Sequence, residues 1–187
     1  MRIFVLFTLL LMSMPAYAKE IAGVMVNDTV QTEDGTTLLL NGAGIRSKFF
    51  VDVYIAELYL EKPSAIAAEV IAAKAKKRIV MHFLHSEVSK DKLVSAWNDG
   101  FKDNSSAEEL ATLQERINQF NALFVDVKKG DIITLDYAQA TGTVVALNGQ
   151  KKGTIQGNDF NDALLKIWLG EKPVNSGLKD SLLSYKK

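Results

Sequence analysis

Residues 49–60 read FFVDVYIAELYL, twelve positions in which only Asp52 and Glu57 interrupt an aromatic and β-branched run. Such a segment predicts a long strand buried on much of both faces, so the rest of the chain must supply its cover. Immediately before it stands NGAGIR, a glycine-flanked turn followed by Arg46. A guanidinium cannot shed its charge and is costly to bury without a partner. Arg46 is therefore either paired with Asp52 or Glu57, left at the solvent edge of the strand, or placed to meet an anion.

The remaining elements follow from periodicity and punctuation. Two apolar stretches between Ile21 and Leu40 flank Asp34-Gly35, which suits a tight hairpin. Pro63 and SAIAAEVIAAKAKK predict an alanine-rich helix with proline near its first position and lysines in its last turn. Arg78–Leu84 (RIVMHFL) returns to strand. Ser89 caps a helix with Leu93, Ala96, Trp97 and Phe101 on one stripe, although Gly100 weakens its last turn. Ser106 and Glu109 form a capping box for a second helix carrying Leu110, Leu113, Ile117 and Phe120. From Asp131 the period changes to two through DIITLDY and GTVVAL, and Asn148-Gly149 before QKKGTI marks a hairpin. NDFNDALLKIWLG is a final helix capped by Asn158 or Asp159 and closed by Gly170, with Pro173 and a short amphipathic tail after it. Strands in runs, with helices grouped between and after them, indicate an α+β domain: a mostly antiparallel β-sheet with a layer of helices on one face.

The N-terminus reads as an export signal. One basic residue, an apolar stretch from Ile3 to Met12 and the small-residue site Ala16-Tyr17-Ala18 assign residues 1–18 to a signal peptide and residues 19–187 to a single domain, with the periplasm as destination. No later run approaches the length of a membrane span. Cleavage would remove Arg2 and no acid, leaving 21 basic against 22 acidic residues. That balance argues against nucleic acid, and the short clusters Lys74–Arg78 and Lys151-Lys152 read as solvated ends of elements. The chain has no cysteine, so its stability must come from its core. His82 and His85 fall on opposite faces of a strand, which excludes a joint metal site unless the strand ends between them. Gly42-Ala43-Gly44 lacks the lysine and following helix of a phosphate loop. No nucleophile has a recognisable base, and no metal or cofactor is implied.

LNGAGIRSKFFVDVYIAELYLE resembles the arginine-bearing segment of the chalcone isomerase family, where Gly-Gly-Ala-Gly-x-Arg precedes a strand ending in Val-Tyr-Leu-Glu. TGTVVALNGQKKGTIQGNDF resembles the hairpin that leads into the family's last helix, and ALLKIWLGEKPVNSGLK resembles that helix and the segment beyond it. This wording, joined to an export signal, is similar to the bacterial chalcone isomerase-like branch. Plant members cyclise a chalcone to a flavanone. The resemblance places their catalytic arginine on Arg46, one catalytic threonine on Tyr54, and a second on Ile167, next to Trp168. Their tyrosine and asparagine belong to the helix around Ser89–Phe101, where Asn98 is the nearest candidate. Arg46 and Tyr54 are the catalytic candidates if the chain is an enzyme, acting as a lyase or isomerase on an enone-type substrate. The loss of a hydroxyl at Ile167 counts against cyclisation, because each donor aimed at a developing oxyanion contributes about 3 to 4 kcal/mol.

Noncatalytic relatives of that family bind fatty acids through an arginine and a tyrosine. The resemblance therefore implies a binder of a small hydrophobic carboxylate, with Arg46 and Tyr54 at the head group and Trp97, Asn98, Ile167 and Trp168 as further ligand contacts. Phe49, Phe50, Leu93, Phe101 and Leu164 are candidate walls. A scaffold whose pocket is vestigial is the third alternative, and a monomer is expected. Geometry adds one condition. Eight residues of unbroken strand would separate Arg46 from Tyr54 by about 26 Å, so a turn near Ser47-Lys48 must fold them together.

Overall fold

The computed structural model describes residues 18–185, and of the expected export signal (residues 1–18) residues 1–17 lie outside them. Among the described residues the strands are β1 (Ala18–Ile21), β2 (Val24–Asn27), β3 (Thr29–Gln31), β4 (Thr37–Lys48), β5 (Val51–Leu60), β6 (Lys77–Phe83), β7 (Glu87–Val88), β8 (Val127–Lys128), β9 (Ile132–Ala138), β10 (Gly142–Leu147) and β11 (Gln150–Ile155). The helices are α1 (Ala67–Ala72), α2 (Lys90–Asn104), α3 (Ala107–Ala122), α4 (Asn158–Leu169) and α5 (Ser176–Leu182). Seven strands form a curled antiparallel sheet in the order β11-β10-β9-β6-β5-β4-β3. The α+β class and the antiparallel sheet are as the patterning predicts.

β5 sits inside that sheet between β4 and β6, which explains its two apolar faces. Tyr54, Ala56, Leu58 and Leu60 point toward the helices and join the main core with Phe101, Phe120, Phe160 and Trp168. The alternate residue Tyr59 packs with Leu38 and Val80 in a smaller cluster on the other face. There Glu57, 3 % exposed, lies 2.9 Å from His82 Nε2 and accepts from the Tyr59 hydroxyl at 2.7 Å. The Asn148-Gly149 turn has positive φ at both residues, 51° and 75°, and sets Leu147 opposite Gln150. Ser89 and Ser106 cap α2 and α3 as expected. The Glu109 carboxylate does not return to Ser106 but takes Lys166 Nζ at 2.9 Å, tying α3 to α4.

Four expectations are corrected. First, NGAGIR is not a turn: β4 runs straight through it. A Cβ at Gly42 would lie 2.1 Å from the Ser181 carbonyl oxygen, and one at Gly44 would lie 2.7 Å from Ser181 Cβ, so these glycines admit α5 against the strand. Second, the helix after Pro63 spans only Ala67–Ala72. The four residues 73–76 leave the helix and Lys77 joins β6 opposite Leu60, so sheet pairing overrides alanine's helix propensity. Third, α4 starts from Gly157 at φ 102° rather than from a capping side chain: Asn158 accepts from the Tyr137 hydroxyl, and Asp159 holds Arg116 in a two-pronged pair. Fourth, the basic run 74–78 is not wholly solvated. Lys77 is 2 % exposed and donates to the Val70 and Ile71 carbonyls at 2.9 Å each, while Arg78 pairs with Asp136. The hairpin at Ala22-Gly23 and the β7–β8 pair were not anticipated, since neither carries an Asn-Gly or Asp-Gly signal.

Lys77 makes stability depend on pH. Burial brings its ammonium down to about 8 from an ordinary 10.5; the Asp162 carboxylate opposes the shift and Lys74 adds to it. Below pH 8 both states hold the proton; between 8 and 10.5 the folded state releases it first, so stability rises with pH through that window. After screening, the gain is on the order of 2 kcal/mol. Burial also raises Tyr54 and Tyr59, so above about pH 10 unfolded tyrosines ionise first and the gain reverses. Urea unfolding at pH 7.5, 9 and 11.5 should show a rise and then a fall, with the rise absent in Lys77→Met.

Candidate functional site

The β4–β5 hairpin brings together the two residues that sequence separation held apart. Arg46 faces Tyr54 directly across the pair, with a register shift between Arg46 and Ser47. The chain reverses at Phe49-Phe50, two residues beyond the expected Ser47-Lys48. The guanidinium carbon lies 5.6 Å from the centroid of the Tyr54 ring, a cation–π distance. Asp52 instead accepts from Ser47 Oγ at 2.6 Å, and Glu57 is engaged on the opposite face. Among the described residues Arg46 has no ion pair or hydrogen bond, although it is half-buried.

Behind it the polar groups are donors. The Tyr54 hydroxyl accepts from Trp168 Nε1 at 3.0 Å, and its own proton finds no acceptor among the described residues. Burial raises the Tyr54 phenol, while the Arg46 charge and the Trp168 N–H pull the other way, so at neutral pH it remains a donor. Trp97 Nε1 is buried without a partner among the described residues. Its ring meets the Trp168 ring edge to face, centroids 5.6 Å apart. A guanidinium, a free phenolic proton and an unpaired indole N–H together call for an acceptor from outside the chain, best an anionic one.

Space for such a guest lies alongside. A cavity of about 790 Å³ opens between the end of the sheet, α2 and the segment 172–174. That is within the ~300–1,000 Å³ range of small-molecule sites. Its apolar surface includes Val53, Met81, Phe83, Leu93, Ile167 and Val174, and Arg46 and Tyr54 belong to the same wall.

The sequence candidates divide accordingly. Arg46, Tyr54, Leu93, Trp97 and Ile167 line the cavity, and Phe49 stands 88 % exposed at it. Trp168 supports Tyr54 from behind rather than forming wall. Phe101 and Leu164 are buried in the helix-side core. Phe50 projects fully into solvent. Asn98 lies on the exposed side of α2, where it accepts from Asn121 at 2.7 Å. Residues not anticipated include Val53, Met81 and Phe83 on the sheet, His85 after β6, Val88, and the 172–174 segment. Gly100 is the one with a usable signal, a glycine inside a helical stripe: a Cβ there would lie 2.9 Å from Ile167, so it lets α2 and α4 close the cavity floor.

The sequence profile described as chalcone isomerase-like matches residues 18–184. The chain belongs to the chalcone isomerase-like family. Among solved structures, the crystal structure of an Arabidopsis thaliana fatty-acid binding protein is similar, with a TM-score of 0.60 at 15% identity over 83% of this chain and 95% of that one. At that identity the likeness concerns the fold. No curated protein sequence matches the chain.

In this chalcone isomerase-like domain the Tyr54–Trp168 contact also has a stability consequence. Tyr54→Phe leaves the Trp168 N–H buried without an acceptor and should cost about 1–3 kcal/mol. Removing both groups, in Tyr54→Phe with Trp168→Phe, should cost less than the sum of the single changes. Additive losses in urea unfolding would show that the bond carries nothing.

Proposed function

We propose that the protein is an exported, noncatalytic binder of a fatty acid or similar small amphipathic carboxylate. The observation that carries this reading is the half-buried Arg46, unpaired among the described residues, beside the neutral Tyr54 donor on the wall of a cavity of about 790 Å³ that has an apolar lining of Val53, Met81, Phe83 and Ile167 and a charged mouth. A carboxylate supplies the acceptors these groups lack, and each buried CH₂ of its tail adds about 0.8 kcal/mol, so the tail provides most of the affinity while Arg46 fixes the head. The similar plant structure is that of a fatty-acid binding protein, which supports the same ligand class. Residues 1–18 support export, with the periplasm as the destination they suit.

Binding is favoured over isomerisation by the site's own chemistry. Ile167 brings no donor to the wall, and the raised Tyr54 phenol is a poor proton donor or base at neutral pH. Native mass spectrometry of the exported protein should show an acyl-chain adduct, or gain one on incubation with a long-chain fatty acid. A protein that carries none and takes up none, yet forms flavanone from a chalcone above the spontaneous rate, would replace this reading with the isomerase.

A further inference from the structure

The tip of the β4–β5 hairpin is built in a way the fold does not require. β3 pairs with β4 only over Thr37–Leu39, and β6 reaches no farther along β5 than Tyr54. Beyond Tyr54 the Leu84 and His85 amides still reach the Val53 carbonyl of β5, and past that point the hairpin projects as a two-stranded finger with no strand beside it among the described residues. At its end Phe49 is 88 % exposed, Phe50 is wholly exposed and Val51 is 44 % exposed. Phe49 also sits at φ +57°. That conformation suits glycine or asparagine and costs a bulky residue roughly 1–2 kcal/mol. Local turn chemistry thus argues against phenylalanine here, and packing offers no compensation.

We infer that this finger is a membrane-docking device, inserting Phe49 and Phe50 into a lipid surface so that the cavity loads or unloads there. Three observations select lipid as the occupant. Phe49 is at once tip and cavity lining, so what the tip enters is continuous with the mouth of the site. Two phenylalanines can bury only about 300–500 Å² in all, short of the roughly 800 Å² that each partner contributes to a stable protein interface. For an interfacial anchor the same two rings suffice, because a bilayer covers whatever enters it. The finger's charges also fit: Arg46 and Lys48 oppose a single acid, Asp52, which is already held by Ser47. Farther from the tip the mouth carries more acid than base, Lys92 and Lys172 against Glu87, Asp91, Asp99 and Asp103, so the rings drive insertion and only the finger's own cations, Arg46 and Lys48, favour phosphate-bearing headgroups.

The ligand reading decides what is exchanged, whereas docking is measured without it. The probe is a vesicle of phosphatidylcholine mixed with phosphatidylglycerol, and the readout is cosedimentation of the mature chain. Wild type should partition measurably, Phe50→Ser should partition about tenfold more weakly, and Phe50→Trp should partition at least as well as wild type. Phe50 lies outside the cavity wall, so Phe50→Ser should keep its thermal stability and its equilibrium affinity for a soluble short-chain carboxylate. Slower transfer of a fluorescent fatty acid out of vesicles by this variant, at unchanged affinity, would tie docking to loading. Absence of partition by wild type, or equal partition by Phe50→Ser, overturns the proposal even if carboxylate binding is found. A concentration-dependent dimer that Phe50→Ser abolishes, with no vesicle binding, overturns it in favour of self-association.

Discussion

Arg46→Gln is expected to weaken binding of a long-chain carboxylate by about 10- to 150-fold while leaving the folded domain as stable as before. The first half follows from the worth of a hydrogen bond to a charged group, about 1.5–3 kcal/mol when the partner is removed. The second half follows from what Arg46 lacks: among the described residues its side chain makes no ion pair and no hydrogen bond, and its cation–π contact is with the face of Tyr54 at 5.6 Å. Losing a cation–π contact of about 0.5–1 kcal/mol is offset by no longer holding a half-desolvated charge. A residue kept for structure behaves oppositely, with stability falling first and affinity following through unfolding. Isothermal titration with a soluble fatty acid, beside urea unfolding of both proteins, separates the cases. Equal affinity in the two would remove Arg46 from the head-group site.

Gly42→Val should leave little folded protein. Even the Cβ of this residue would lie 2.1 Å from the Ser181 carbonyl oxygen and 2.7 Å from that of Leu182, both of them backbone that no rotamer change can move. Overpacking in a close-packed interior costs typically 1–3 kcal/mol when side chains can yield, so a clash with a helix backbone should exceed that range. α5 must then leave β4, exposing Leu178 and Leu182, which the core now covers completely or nearly so. Asn41 would suffer with it, because its buried amide donates to the Leu182 carbonyl at 2.8 Å. Loss of cooperative unfolding by circular dichroism is the expected result, and a Gly42→Val protein within 1 kcal/mol of wild type by the overpacking scale would contradict the close approach.

Local pattern was sufficient wherever the deciding forces are themselves local. Period two and Asn148-Gly149 specify the β10–β11 hairpin because side-chain alternation and positive dihedrals act within a few residues. Ser89 and Ser106 cap their helices for the same reason, since a hydroxyl reaches an amide three residues on. The apolar run declared its own burial on both faces over residues 54–60, while its first residues, 49–52, stand exposed. Arg46 and Tyr54 were legible as chemistry, a permanent cation and a phenol near one strand, and as a pair only on the condition of a turn between them.

What needed the tertiary structure was every choice that depended on a distant neighbour. The glycines of NGAGIR read as a turn, yet they serve α5, more than 130 residues away in the chain. Lys77 read as the end of a helix, but its pairing with Leu60 draws it into β6 and into the core. Phe50 read as wall, like its neighbour Phe49, because hydrophobicity alone does not say on which side of a turn a ring will stand, and only Phe49 lines the cavity. The sequence by itself determined the antiparallel α+β plan and the donor residues available to a ligand. Only the folded chain decided that Arg46 and Tyr54 face each other across one hairpin, unpaired and beside open space, because strand register and helix docking are settled by contacts between residues far apart in the sequence.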